Sequence, residues 1–169
     1  MLTIRHEEGG DAPAIRYVLE QAFERGQEAD LVEALRQRGA VTLSLVAVED
    51  NKIVGQILFS PVAIASAHRR LDVLGLGPMA VLPALQRQGI GSRLMHAGLE
   101  ACREIGQAIV VVLGHPEFYR RFGFTPARRY GIRSEFDVPE EVFMILELRE
   151  GAASGGSGVA LYQPEFGTV

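Results

Sequence analysis

The amino-acid sequence predicts a mixed α/β domain with a central sheet covered by helices, and three observations carry that prediction. Ala108 to Leu113 (Ala-Ile-Val-Val-Val-Leu) is an uninterrupted apolar run, the pattern of a strand buried on both faces. Before it come a strand-like segment, Leu71 to Val81, and an amphipathic helix, Ser92 to Ile105. Strand, helix and strand in that order make a parallel crossover unit. Upstream, Val41 to Val48 and Ile53 to Val62 are two β-type runs joined by Asp50-Asn51, which signals a hairpin. The 169 residues are 47% apolar, enough to bury a sizeable core in one domain spanning 1–169.

The remaining elements follow in chain order. Leu2 to Arg5 forms a short opening strand. Asp11 is placed to cap a helix with Pro13 in its first turn, and Ile15, Val18, Leu19, Ala22 and Phe23 form its apolar stripe. A second helix, Gln27 to Arg38, buries Leu31, Val32 and Leu35 and stops at Gly39. The strand Leu71 to Val81 is irregular, because Gly75, Gly77 and Pro78 lie within it and proline cannot donate to a sheet ladder. It is expected to pair at its start and then bulge or part from a neighbour around Pro78. The parted edge would offer backbone groups to something amide-like.

In the helix Ser92 to Ile105, Leu94, Ala97, Ala101 and Ile105 are expected to face the core. Ser92, His96, Glu100 and Arg103 line its wet side, and Gly106 ends it. Pro116 opens a short helix through Phe122, closed by Gly123, and Glu141 to Leu148 is a further strand. Gly151 to Gly158 has the composition of a flexible turn. Beyond it Leu161, Tyr162 and Phe166 are too apolar to stay solvated, so 159–169 is expected to pack back as a closing strand.

Composition narrows the class. No apolar run approaches a membrane span, and Met1 to Glu8 carries charges where a signal peptide needs an apolar stretch. The one cysteine, Cys102, excludes an intramolecular disulfide and offers no metal cluster. It sits on an ordinary helix with no paired histidine, as a buried filler would. A cytoplasmic protein is expected. The net charge of −4 gives no general attraction to DNA or RNA, and the local cluster Arg120, Arg121, Arg128 and Arg129 fits a solvated face.

Two motifs carry chemistry. Gln86-Arg87-Gln88-Gly89-Ile90-Gly91 lies between the irregular strand and the helix from Ser92. The start of a helix carries unsatisfied N–H donors and a partial positive charge, which suit phosphate oxygens. Glycines at 89 and 91 remove the Cβ atoms that would hold a pyrophosphate away, and they permit backbone angles other residues resist. The second motif is Phe118-Tyr119-Arg120-Arg121-Phe122-Gly123-Phe124, after the buried strand.

In this order and spacing the two motifs resemble the GNAT superfamily of acyl-CoA-dependent N-acyltransferases, through its Q-x-x-G-x-G loop and its Y-x-x-x-G-F element. The resemblance covers nearly the whole chain. It is closest to the YhbS-type branch of predicted bacterial acetyltransferases, in which Gly114-His115-Pro116 and the closing Gly158-Val159-Ala160-Leu161-Tyr162 pattern have analogues. The resemblance implies a central, mostly antiparallel sheet with a splayed parallel strand pair and helices on both faces. It implies acetyl-CoA as co-substrate, with no metal.

The backbone of Met79, Ala80 and Val81 would bind pantetheine. Amides of Arg87, Gln88, Gly89, Ile90, Gly91 and Ser92 would hold the pyrophosphate, with Gln86 shaping the loop. Tyr119 would protonate the departing CoA thiolate. The base is left open among His115, Glu28, Glu117 and water, and Arg69, Arg70 and Asp72 are candidates for the acceptor side. The implied partner is a small-molecule or peptide amine, with no nucleic acid and no membrane; a homodimer is left open, as is acyl-chain preference. A non-catalytic acyl-CoA-binding sensor is the alternative from another class, and acylation of a charged tRNA or a basic protein is a third reading.

Overall fold

The computed structural model describes residues 1–168, with side chains to Gly167. Its strands are β1 (Leu2–His6), β2 (Leu43–Glu49), β3 (Lys52–Ala65), β4 (Arg70–Val81), β5 (Ile109–Leu113), β6 (Thr125–Pro126), β7 (Ile132–Ser134), β8 (Phe143–Glu147) and β9 (Gly158–Leu161). The helices are α1 (Ala12–Phe23), α2 (Gln27–Gln37), α3 (Ile90–Glu104) and α4 (Pro116–Arg120). Hydrogen bonding orders the strands β1-β2-β3-β4-β5-β8-β6, with β9 on β3 and β7 on β9. β1 with β2, β2 with β3, β3 with β9, β5 with β8 and β6 with β8 pair antiparallel, and β4 with β5 and β7 with β9 pair parallel. The expected mixed α/β class, with antiparallel strands and a parallel pair, is what forms.

The chain divides into two compact units. The first comprises residues 1–59, 78–101 and the segment from Pro164. Its hairpin turns as the sequence suggests: Asp50 and Asn51 have φ of 51° and 63°, the paired positive angles of a type I′ turn. Ile15, Val18 and Leu19 of α1 and Leu31, Val32 and Leu35 of α2 are buried with Val46, Leu58 and Ala80 of the strands. Fully burying a side chain of this size contributes about 1.5–3 kcal/mol, so this cluster is a large part of what holds the unit together. Phe166 packs against the same cluster, and Arg38 at the end of α2 pairs with Glu165.

Two expectations for this unit are corrected. Asp11 occupies the N-cap position of α1 but makes no cap bond. Its carboxylate instead accepts from Arg5, at 2.8 and 3.2 Å, and from the Glu8 N–H at 2.7 Å. An arginine fork is the stronger partner and wins the side chain. The helix expected from Ser92 starts two residues earlier, because Ile90 turns into the core at 5% exposure.

The second unit comprises residues 60–77 and 102–163. β5 is buried along Ile109–Val112, as a strand covered on both faces should be. Its parallel register with β4 runs from Leu74↔Val110 to Leu76↔Val112, and Pro78, which has no N–H to offer, follows two residues later. α3 finishes at Glu104, ahead of Gly106 with φ of 84°, and leaves Ile105 outside the helix and 49% exposed rather than in the core. Cys102 is fully buried and desolvation pushes its thiol up to about 12, so it is inert packing.

The closing strand forms as β9, with Ala63↔Leu161 and Ala65↔Val159 antiparallel to β3 and Ile132↔Gly158 parallel to β7. It stops at Leu161, and the chain continues into a 3-10 turn, Pro164–Thr168; Val169, at the end of the expected strand, lies outside the described residues. The preceding glycine-rich segment is anchored within itself and to β8: Ala153 is buried and its N–H donates to Glu147 at 2.8 Å.

Candidate active site

The loop candidate belongs to the first unit. β4 ends at Val81, a 3-10 turn (Pro83–Leu85) follows, and α3 begins at Ile90. The Gln86 side-chain amide donates to the Val81 carbonyl at 2.9 Å, tying the loop back to the strand it left. That bond occupies one of the strand carbonyls that the family resemblance would offer to pantetheine. Ala80 and Val81 are buried and Met79 is partly exposed.

Two residues of the loop adopt left-handed angles, Arg87 at φ 63° and Gly89 at φ 87°. Nothing of the protein lies within 4 Å of a Cβ placed on Gly89, so its need for glycine is conformational and not steric. Gly91 lies in the first turn of α3 and is not among the positive-φ residues; what it contributes is the missing Cβ alone. The first N–H of α3 to find a partner in the helix is that of Arg93, which donates to Gly89 O at 3.1 Å. The amides before it are the unsatisfied donors of a helix start, where the macrodipole is positive. Exposed Arg87 adds a full charge nearby, and the Arg93 guanidinium is fastened to the Leu2 carbonyl at 3.1 Å.

Glu28 also belongs to this unit, on α2. It is only 6% exposed, and Arg25 donates to both of its carboxylate oxygens. A carboxylate held on both oxygens is a structural ion pair rather than a free base.

The phenol candidate belongs to the second unit. His115 precedes α4, and its carbonyl accepts the Tyr119 N–H at 3.2 Å. The Tyr119 ring lies edge-on to Phe118 at 5.1 Å and to Phe124 at 5.7 Å between centroids. Its other neighbour is Gly114, where a Cβ would stand 2.5 Å from the ring, so the main chain itself forms one wall. Tyr119 is 9% exposed, and desolvation pushes its phenol up to about 12. The hydroxyl is therefore neutral, with its proton in place, throughout the physiological range.

His115 and Glu117 are exposed on the same short segment as Tyr119. Arg70 and Asp72 pair with each other at 3.1 Å on an exposed strand end, and Arg69 reaches the Ser154 carbonyl at 3.4 Å. Sequence reasoning took Tyr162 for tail packing only. Its ring in fact lies 3.1 Å from a Cβ built on Gly75 of β4, and against Phe136 at 5.6 Å. Burial, the Glu135 carboxylate and the nearby Tyr119 phenol all hold the Tyr162 hydroxyl in its neutral form. The signal was present in the closing Gly-Val-x-x-Tyr pattern, but only the pairing of β9 with β3 brings it beside Gly75 of β4.

Among the described residues no group of histidine, cysteine or carboxylate side chains could hold a metal, and no helix is long and apolar enough to cross a membrane.

Residues 3–127 match the family described as the acetyltransferase (GNAT) domain. The chain is 37% identical over 166 residues to YhbS of Escherichia coli K12, an uncharacterized N-acetyltransferase, covering 98% of each. Among solved structures, YhbS from Escherichia coli in complex with CoA superposes with a TM-score of 0.93 at 36% identity, covering 98% of this chain and 92% of that one. A GNAT family acetyltransferase from Brucella melitensis in complex with acetyl-CoA gives a TM-score of 0.81 at 37% identity, with 98% of both chains covered. The chain belongs to the GNAT family of acetyltransferases.

Proposed function

We propose that this chain, acting as a single acetyltransferase domain over 1–169 in the cytoplasm, moves an acetyl group from acetyl-CoA to a primary amine by direct transfer. The observation that carries the reading is the turn at the start of α3, where Arg87 and Gly89 take left-handed angles ahead of the first satisfied helical N–H at Arg93. The residues fit the co-substrate. A run of amides with no protein atom within 4 Å of the Gly89 Cβ position suits pyrophosphate oxygens, and two relatives that match 98% of this chain hold CoA and acetyl-CoA.

Acetyl-CoA supplies the acetyl group as an activated thioester. Backbone amides of Arg87, Gln88, Gly89, Ile90, Gly91 and Ser92 hold its pyrophosphate, and Gln86 keeps the loop on the end of β4. The backbone of Met79 to Val81 binds pantetheine, and a strand N–H there stabilises negative charge on the carbonyl oxygen. As the carbon–nitrogen bond forms and the carbon–sulfur bond breaks, Tyr119 gives its proton to sulfur. Its burial favours this role, because a phenol held neutral is a donor rather than a base. With Glu28 engaged by Arg25, removal of the amine proton falls to His115, Glu117 or water.

The test is release of CoA thiol from acetyl-CoA across amines, amino acids and peptides, read beside calorimetric binding of acetyl-CoA. Amine-dependent release supports the reading. Tight binding without release from any acceptor would instead make the chain an acyl-CoA sensor.

A further inference from the structure

The second unit contains a cavity of about 180 Å³ that the proposed chemistry does not use. Ile132, Phe136, Val138 and Phe143 give it apolar walls, and Arg128 and Arg133 stand at its polar side. It is smaller than the roughly 300–1,000 Å³ typical of sites for drug-sized ligands, so it suits one apolar group rather than an extended molecule.

Its cations differ in what holds them. Arg128 forms a single contact of 3.4 Å with Glu140, both side chains exposed, a kind of pair worth about 0–1 kcal/mol and easily exchanged. The Arg133 side chain makes no hydrogen bond or ion pair among the described residues, although it lines the same apolar space. The one carboxylate among the lining residues is Glu140, which stands beside Arg128 rather than Arg133. An unengaged guanidinium lining an apolar cavity matches a ligand with an apolar body and a carboxylate, which the fork can hold through two hydrogen bonds.

Within its own unit the cavity wall is linked to the candidate general acid through the β5–β8 pairing. Phe143 of its wall pairs with Leu113 at the end of β5. The next residue, Gly114, donates its N–H to the Val142 carbonyl at 3.0 Å and supports the Tyr119 ring. Phe136 also packs on Tyr162 at 5.6 Å between centroids, and the Tyr119 phenol is among the groups that hold the Tyr162 hydroxyl neutral.

From this geometry we propose that the cavity is the acceptor subsite, and that it selects amines carrying a carboxylate on an apolar body, with Arg133 as the carboxylate's partner. The proposal rests on the acetyltransferase reading for its meaning, but its binding test does not.

The probes are 3-phenylpropanoate and 3-phenylpropanamide, which differ only in charge, titrated calorimetrically into the full chain and into Arg133→Gln. The wild type should bind the acid roughly tenfold or more tighter than the amide. Arg133→Gln should abolish that preference and leave amide binding unchanged. Equal affinities in the wild type, an undiminished preference in the variant, or no binding of either probe overturns the proposal.

The kinetic arm compares L-phenylalanine with 2-phenylethylamine as acceptors, where Arg133→Gln should raise KM for the first and not for the second. Amine turnover without acid preference would leave the acetyltransferase reading standing and refute the subsite. Acid-selective binding without CoA release from any amine would do the reverse.

Discussion

Replacing Gly89 separates the proposed phosphate cradle from a merely structural turn. The residue holds φ of 87°, and no protein atom lies within 4 Å of a Cβ built there. A side chain therefore costs backbone strain but no clash. A non-glycine residue in this region costs about 1–2 kcal/mol, and for a chain of this length each kcal/mol lowers Tm by roughly 2–4 °C, so Gly89→Ala should melt about 2–8 °C lower. Arg87 already sits at φ of 63° one turn of the loop away, which shows that the loop tolerates such angles.

Binding should suffer far more than stability. Losing one or two charge-assisted hydrogen bonds to phosphate, at about 1.5–3 kcal/mol each, weakens acetyl-CoA by roughly 10- to 100-fold or more, and Gly89→Glu adds repulsion between like charges. Calorimetric titration with acetyl-CoA, alongside thermal denaturation, reads both effects. A folded Gly89→Glu protein with wild-type affinity would refute the cradle.

Three further outcomes are expected. Gly114→Ala should cut turnover and leave acetyl-CoA affinity near wild type, because its Cβ would stand 2.5 Å from the Tyr119 ring and must displace it; steady-state kinetics with unchanged rates would show that the ring position is unimportant. Deleting the chain from residue 159 removes Ala160 and Tyr162, both buried, and the Phe166 contact with the α1–α2 cluster, a loss of several kcal/mol that should lower Tm by about 10 °C or more. An unaltered melting temperature would make the tail dispensable. Tyr119 is favoured neutral by burial, so its contribution is complete below its unfolded value of 10 and is lost as pH rises toward about 12, at about 1.4 kcal/mol per pH unit. Denaturant midpoints measured across that window should fall less steeply for Tyr119→Phe than for the wild type.

Local signals were legible in the sequence where one short-range cause decides the structure. Asp50-Asn51 tolerates paired positive φ, Gly39 and Gly106 stop helices with angles of 71° and 84°, and the run ending at Leu113 needs burial on both faces. Reading failed where a distant partner decides. Asp11 is a good cap in isolation, but Arg5 folds within reach and takes its carboxylate. β7 is three residues, two of them polar, and exists because β9 arrives beside it from more than twenty residues downstream. The candidate loop and Tyr119 were visible as motifs with fixed spacing. The Arg133 cavity was not, since its walls come from residues 128–143 folding back on themselves, with no periodic pattern to announce it.

The most direct test of the central claim is a single-turnover comparison of wild type and Tyr119→Phe, once an acceptor amine is found, following thiol release and acetylated amine in the same sample. The account predicts that the wild type forms the two products in equal amounts. It predicts that the phenylalanine variant binds acetyl-CoA normally and turns over about 10²-fold more slowly, the lower end of what general acid catalysis supplies. Thiol release without acetylated amine, or a phenylalanine variant as fast as the wild type, would contradict it.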